Sequence, residues 1–149
     1  MQHTEAITIN RPQSKVWSLV GDPTGWPEWL PDVADVEIEG PLEQGAALSY
    51  TWRTRRVRAT VTHYVRGQSL RIHSTENNYE FDEAISLRGL GGMTVVSITM
   101  GFKPTVWWAS ALSVLLWPAK KLMLGRPLRK ELNALRAAVE VAAPVRQSG

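Results

Sequence analysis

The middle of the chain consists of five short segments in which apolar and polar residues alternate. They cover residues 46–54, 57–66, 70–76, 79–88 and 93–102. Turn-forming residues separate them, among them Gly67, the Asn77–Asn78 pair and the Gly91–Gly92 pair. Alternation places every second side chain on the same side of a strand, and short turns of this composition join antiparallel neighbours. The pattern therefore predicts an antiparallel meander with one apolar face.

The end of the chain has the periodicity of a helix. Apolar residues recur there at spacings of three and four, at Leu128, Leu132, Leu135, Val139 and Ala142. Such spacing forms one apolar stripe along a helix, which packs against the rest of the protein. We expect this helix to start after Pro104 and to be kinked or divided near Pro118 and Pro127, because each proline removes a backbone hydrogen bond.

The first forty residues predict a strand, a helix, a short helical turn and a second strand. Ile7 and Ile9 alternate with polar residues, as on a strand with one buried face. Pro12 is favourable at the first position of a helix, and Gly21 marks its end. Residues 24–31 carry two tryptophans among closely spaced prolines, which exclude a long helix. An extended pattern then follows over residues 33–38.

This order of elements resembles the START/Bet v1-like superfamily, also called SRPBCC. The opening residues resemble its polyketide cyclase/dehydrase-like branch, through Ile7-x-Ile9-x-Arg11-Pro12, Val16-Trp17 and Trp26-Pro27-x-Trp29-x-Pro31. The resemblance implies an α+β helix-grip (Bet v1-like) fold, with a curved antiparallel sheet of about seven strands around a long C-terminal helix. Two short helices follow the first strand. We see no linker and expect residues 1–149 to form one ligand-binding domain.

Residue types and spacing argue against several classes of chemistry. The chain has no cysteine, so disulfides, thiolate metal sites and cysteine nucleophiles are excluded. His3, His63 and His73 do not have the spacing of metal ligands, and residues 89–92 are typical of a hairpin rather than a phosphate loop. We expect no metal and no cofactor. The arginines over 53–58 lack interleaved aromatic residues, so we expect no nucleic-acid partner either.

The resemblance implies a cavity between the concave sheet and the C-terminal helix. We expect it to bind a hydrophobic molecule, such as a lipid, a polyketide or an isoprenoid-like compound, mainly through burial of apolar surface. Inward-facing strand positions and the helix supply the expected wall, formed by Tyr50, Trp52, Val61, His63, Ile72, Phe81, Ile85, Ile98, Met100, Trp108 and Leu112.

An enzyme of the polyketide cyclase/dehydrase type is the alternative. His63 follows Val61 on an apolar strand face, where its imidazole either transfers protons or is a core histidine satisfied by a neighbour. Glu83 lies between Phe81 and Ile85 and faces either the cavity or, through a bulge, the solvent. If both side chains face inward, they form an acid/base pair suited to dehydration without a metal. We prefer the binding protein.

Residues Val106–Trp117 are apolar on all sides of a helix. At 12 residues before Pro118 the segment is shorter than the roughly 20 residues that cross a bilayer. The Trp107 to Trp117 surface has three interpretations: it lines the cavity, it packs against a protein partner or a second copy in a homodimer, or it docks on a membrane beside Lys120 and Lys121. The N-terminus lacks a secretory pattern, so we expect a cytoplasmic protein, with peripheral membrane association as the alternative.

Overall fold

The architecture follows from a computed structural model that describes residues 2–76, 79–105 and 128–147. Its elements in chain order are β1 (Gln2–Ile9), α1 (Gln13–Val20), a 3-10 helix (Pro23–Glu28), β2 (Val33–Glu39), β3 (Ala47–Trp52), β4 (Arg55–Val65), β5 (Ser69–Glu76), β6 (Tyr79–Leu90), β7 (Met93–Pro104) and α2 (Leu128–Gln147). The predicted α+β helix-grip fold is confirmed. The part of the C-terminal helix predicted over residues 106–127 lies outside the described residues.

All strands of the described residues form one antiparallel sheet of seven strands. Its order is β1-β7-β6-β5-β4-β3-β2, so each strand from β2 to β7 pairs with the next along the chain. β3 to β7 are the five segments of the predicted meander, and β2 extends it by one strand. β1 returns to pair with β7 over its whole length, from Gln2 opposite Gly101 to Ile9 opposite Thr94. β1 and β2 are therefore the two edges of the sheet.

The hydrophobic core fills the concave side of the sheet where α1 and α2 cover it. α2 contacts β1, and α1 contacts β6 and β7. The predicted helix stripe is buried from Leu128 to Val139, with Leu132 and Leu135 almost without exposed surface. From α1, Val16 and Val20 are fully buried in the same core. Helix and sheet thus bury each other's apolar faces at this end of the molecule, as two packed layers must.

The junction between β1 and α1 is bonded to the far end of α2. The guanidinium Nη2 of Arg11 donates to the backbone carbonyl of Glu140 at 2.9 Å. The backbone N–H of Asn10 donates to the Glu140 carboxylate at 3.1 Å, and the buried Thr94 hydroxyl donates to the Arg11 carbonyl at 2.8 Å. Because proline has no N–H, Pro144 cannot make the helical bond to the Glu140 carbonyl. Arg11 supplies a donor in its place.

A β-bulge interrupts the alternation of β4. Val61 pairs with Ile72 on β5, but the next paired residue of β4 is His63, opposite Arg71. Thr62 is therefore an extra residue on β4. Such an insertion reverses the side to which every following side chain points, relative to an uninterrupted strand.

The bulge corrects the predicted face of β4. The prediction that His63 shares the inward face of Val61 is wrong, since the side chains of His63 and Val65 are both exposed. Tyr64 points inward in their place, and its ring lies 6.1 Å from that of Trp17 on α1, measured between centroids. Up to Val61 the alternation holds as predicted.

Candidate ligand-binding pocket

A pocket opens on the concave side of the sheet, toward the turn between β3 and β4. The space in it that the centre of a water molecule can occupy is about 80 Å³. The described residues that line it are Trp26, Leu30, Val33, Tyr50, Trp52, Arg55, Val57, Ile72, Ser74, Phe81, Glu83 and Met100. Most of these side chains are aromatic or aliphatic, and three are polar. One water needs about 10–15 Å³ on this measure, so the pocket has room for roughly five to eight.

The 3-10 helix forms the floor of the pocket. Asp22 caps its start, because its carboxylate accepts bonds from the backbone N–H of Thr24 at 3.0 Å and from the Thr24 hydroxyl at 2.7 Å. The indole N–H of Trp26 donates to the carbonyl of Val20, at the end of α1, at 3.0 Å. The Trp26 ring also meets Tyr50 edge to face, with 6.0 Å between centroids. These contacts fix both rings.

The turn after β3 holds Trp52 at the mouth of the pocket. Arg53 has a φ of 58°, an uncommon value for a residue other than glycine. Its backbone N–H donates to the carbonyl of Asp32 at 2.7 Å, and its Nε lies 3.6 Å from the Asp32 carboxylate. The guanidinium carbon lies 4.7 Å from the centroid of Trp52. The turn conformation, the ion pair and the stacking therefore support one another.

A second aromatic group stands across the pocket, on β6 and β7. Phe81 and Phe102 are directly opposite each other in the register of the two strands. Together with Tyr79 their rings form a triangle with centroid distances of 6.1 to 6.4 Å. Phe81 lines the pocket, as does Met100, two residues before Phe102 on β7. The mouth thus lies between two sets of rings.

Three polar side chains face this apolar space. Arg55 is directly opposite Trp52 in the register of β3 and β4, and therefore lies on the same side of the sheet. Ser74 is opposite Phe81, and Glu83 is opposite Ile72, on strands β5 and β6. Arg55 and Glu83 each have an interaction within the chain. Within the part of the chain that the structure describes, no group of three or more potential ligands is placed to hold a metal ion.

Comparison with protein families shows which family the chain belongs to. The family described as "Polyketide cyclase / dehydrase and lipid transport" matches residues 2–140. The chain belongs to this family. This description joins cyclisation and dehydration of polyketides with lipid transport. Membership therefore supports a hydrophobic ligand or a cyclase reaction, but it names neither a specific ligand nor a specific activity. No curated protein matches the chain in sequence.

Solved structures share the fold of this polyketide cyclase/dehydrase-family chain at low sequence identity. The di-domain ARO/CYC protein BexL, from the BE-7585A biosynthetic pathway, is 14% identical with a TM-score of 0.75, over 96% of this chain and 47% of BexL. A START superfamily protein from Mycobacterium smegmatis is 16% identical with a TM-score of 0.71, over 95% and 98%. A Thermus thermophilus protein is 17% identical with a TM-score of 0.71, over 95% and 99%. The predicted START/Bet v1-like resemblance is confirmed.

The pocket of this family member coincides with part of the predicted wall. Five predicted residues line it, namely Tyr50, Trp52, Ile72, Phe81 and Met100. The prediction that Val61, Ile85 and Ile98 also line it is wrong. These side chains do face the concave side, but they are buried in the hydrophobic core, with 2% exposure or less. The described wall of the pocket therefore lies beside this core, at the end of the sheet that carries the turn between β3 and β4.

The predicted acid/base pair of His63 and Glu83 is wrong. Glu83 faces the pocket, which decides between its two predicted orientations. His63 lies on the outer face beyond the bulge, is exposed, and shares a hydrogen bond of 3.1 Å with the Ser69 hydroxyl. It is therefore neither a wall residue nor a core histidine. The sheet separates the two side chains, so they cannot act on one substrate.

Sequence reasoning missed half of the described wall. Trp26 lies on the floor of the pocket, and Leu30 and Val33 follow it along the chain. Arg55 and Val57 lie four and two residues before Ala59 on β4, whose inward direction the alternation correctly predicts. Ser74 lies two residues after Ile72 on β5 and therefore on the same face of the sheet. The alternation of the strands is therefore a sequence signal for Arg55, Val57 and Ser74. The sequence holds no comparable signal for the floor residues.

Several predictions concern residues outside the described part of the chain. Trp108 and Leu112, the two helical wall residues, are among them, as is the whole Trp107 to Trp117 surface. Protein docking, a homodimer and membrane contact through that surface therefore stay predictions, as does a cytoplasmic location. None of the described helices is long and apolar enough to cross a bilayer.

Proposed function

We propose that the chain binds a small apolar molecule with one or two fused rings in this pocket. The observation that carries the proposal is the cavity between two sets of aromatic rings, with few polar groups on its described wall. Concave sites of this composition are the usual form of small-molecule sites in proteins. The family description, which joins polyketide cyclisation with lipid transport, supports the same function.

The volume of the pocket sets the size of the guest. Five to eight waters at about 30 Å³ each correspond to a guest of roughly 150–240 Å³. A naphthalene ring system falls in this range, whereas a long polyketide or a lipid with two acyl chains exceeds it. For a larger ligand the proposal is that one ring or one chain end enters the pocket and the remainder extends through the mouth.

Burial of the guest's surface gives the expected affinity. Removing roughly 150–200 Å² of apolar guest surface from water contributes about 4–5 kcal/mol. That free energy corresponds to a dissociation constant of about 0.2–1 mM for a bare ring system. Trp26 and Trp52 are already held by their own contacts. Little side-chain order has to be gained on binding, so the cost of association is reduced.

The proposal is tested by NMR titration with 2-naphthalenemethanol, followed on the Met100 methyl and Trp26 indole signals. Ser74→Leu fills the pocket from one wall, and Ser86→Leu makes the same change at an exposed position of β6 outside the pocket. We expect binding by the wild type, about tenfold or greater weakening in Ser74→Leu, and no change beyond about twofold in Ser86→Leu. Unperturbed signals, or equal binding by both variants, would contradict the proposal.

A proton-transfer enzyme is a second candidate, because the Glu83 carboxyl group lines the pocket. A carboxylate there can take a proton from the carbon beside a ketone to give an enolate. The same proton then passes to a departing hydroxyl group, so that a C–H and a C–O bond break, a C=C bond forms and water leaves. This is dehydration of a β-hydroxyketone, with one carboxyl group acting as base and then as acid.

Turnover of an aromatic polyketide precursor by two variants tests this candidate. Glu83→Gln should retain binding of 2-naphthalenemethanol within about twofold while losing about 100-fold or more in rate. His63→Ala, on the outer face, should leave the rate unchanged. No turnover by the wild type, or an equal loss in both variants, would remove the enzyme and leave the binding protein.

A further inference from the structure

We propose that Arg55 makes the pocket selective for guests that carry an anionic group, a carboxylate or a phosphate, at the mouth. The inference rests on the proposed function, because it describes how the same pocket selects its guest. Arg55 is the first residue of β4 and is directly opposite Trp52. Both side chains line the pocket, so an aromatic guest that packs against Trp52 would share that space with the Arg55 side chain.

The other arginines of this hairpin are engaged elsewhere. Arg53 pairs with Asp32 and stacks on Trp52. Arg56 points to the outer face, where it donates to the Glu37 carboxylate at 3.2 Å and to the Ser49 hydroxyl at 2.8 Å. Arg53 is thus bound at the rim of the pocket and Arg56 lies on the outer face. Among the arginines of residues 53–58, Arg55 is the one that lines the pocket.

The guanidinium of Arg55 is suited to this role even though it already has an interaction within the chain. A guanidinium has five N–H donors in a planar fork, so it can bind a second acceptor without giving up the first. The fork matches two oxygens of a carboxylate or phosphate, and such charge-assisted bonds are stronger than neutral ones. A lysine would offer the charge without the fork.

Glu83 lines the same pocket as Arg55 and lies on β6, opposite Ile72 of β5. The positive and the negative charge therefore share one cavity. The inference requires an anion at the mouth to be attracted by Arg55 more strongly than it is repelled by Glu83.

Two ligands with the same ring system test the inference: 2-naphthoate, which is anionic, and 2-naphthalenemethanol, which is neutral. We expect Arg55→Ala to weaken naphthoate binding about fivefold or more, the size expected for a partly exposed charge-assisted bond. The alcohol should change by less than about twofold. Arg55→Lys should restore part of the loss, and raising the salt from about 0.05 M to about 0.5 M should weaken naphthoate alone.

Arg58→Ala is the matched control, because Arg58 is exposed on the outer face of the same strand and its loss changes the net charge equally. It should leave both dissociation constants unchanged. Equal weakening of naphthoate by Arg55→Ala and Arg58→Ala, or no weakening by either while the alcohol still binds, would overturn the selectivity alone. If the wild type binds neither ligand, the pocket function fails and the inference fails with it.

Discussion

Trp26, on the floor of the pocket, and Trp29, directly after the same 3-10 helix, form a matched pair that tests how the floor is held. Trp26 and Trp29 are buried almost equally, with 3% and 2% of their surface exposed. The indole N–H of Trp26 donates to the Val20 carbonyl at 3.0 Å. That of Trp29 has no hydrogen-bond partner among the described residues. Replacing each tryptophan by phenylalanine removes the same atoms and thereby isolates the contribution of the hydrogen bond.

The expected difference follows from the partner left behind. Trp26→Phe leaves the Val20 carbonyl at the end of α1 without this donor, which costs about 1–3 kcal/mol for a buried group. Trp29→Phe removes a buried donor that made no bond, so it carries no such penalty. The loss of packing volume is common to both changes. We therefore expect Trp26→Phe to lower the free energy of unfolding by about 1–3 kcal/mol more than Trp29→Phe.

Urea unfolding followed by circular dichroism measures this difference, with equal m-values as the control for a common unfolded state. In thermal unfolding, a difference of about 2 kcal/mol separates the two Tm values by roughly 4–8 °C for a chain of this size. Equal losses of stability, or a larger loss for Trp29→Phe, would refute the reasoning that the bond from Trp26 to Val20 holds the floor.

Two further predictions concern the scaffold. Arg11→Ala should lower the free energy of unfolding by about 1–2 kcal/mol, because the Glu140 carbonyl loses its donor. This loss should be smaller in a Pro144→Ala background, in which a helical N–H is restored. Equal losses in the two backgrounds, measured by urea unfolding, would contradict this explanation. Deletion of Thr62 should lower the thermal stability only slightly, because it removes the extra residue of the bulge. Deletion of Thr60 should instead shift the register of β4 and prevent folding. Equal thermal stability of the two deletion variants would show that no bulge is present.

The order of strands and helices could be predicted because it depends on local patterns. Alternation and turn residues predict β2 to β7, and the spacing from Leu128 to Val139 predicts the buried stripe of α2. The bulge at Thr62 could not be predicted, because it depends on how β4 pairs with β5. Its consequence was large, since one extra residue moved His63 from the predicted wall to the outer face.

The extent of the pocket was also beyond sequence reasoning. Parity correctly placed Ile72, Phe81 and Met100 on its wall, but the same parity placed Ile98 there, which is completely buried in the core. Whether an inward residue lines a cavity or fills a core depends on what packs over it, which the alternation of a single strand does not show. Likewise, the sequence shows a cluster of arginines, but only the register of β3 against β4 shows that Arg55 shares the side of Trp52.

The most direct test of the central claim is a crystal structure of the protein soaked with 2-bromonaphthalene. The account predicts an anomalous bromine peak in the pocket, with the ring in contact, within about 4 Å, with Tyr50, Phe81 or Met100. An empty pocket in which the two sets of aromatic rings close on each other, with bromine found only on the outer surface, would contradict it.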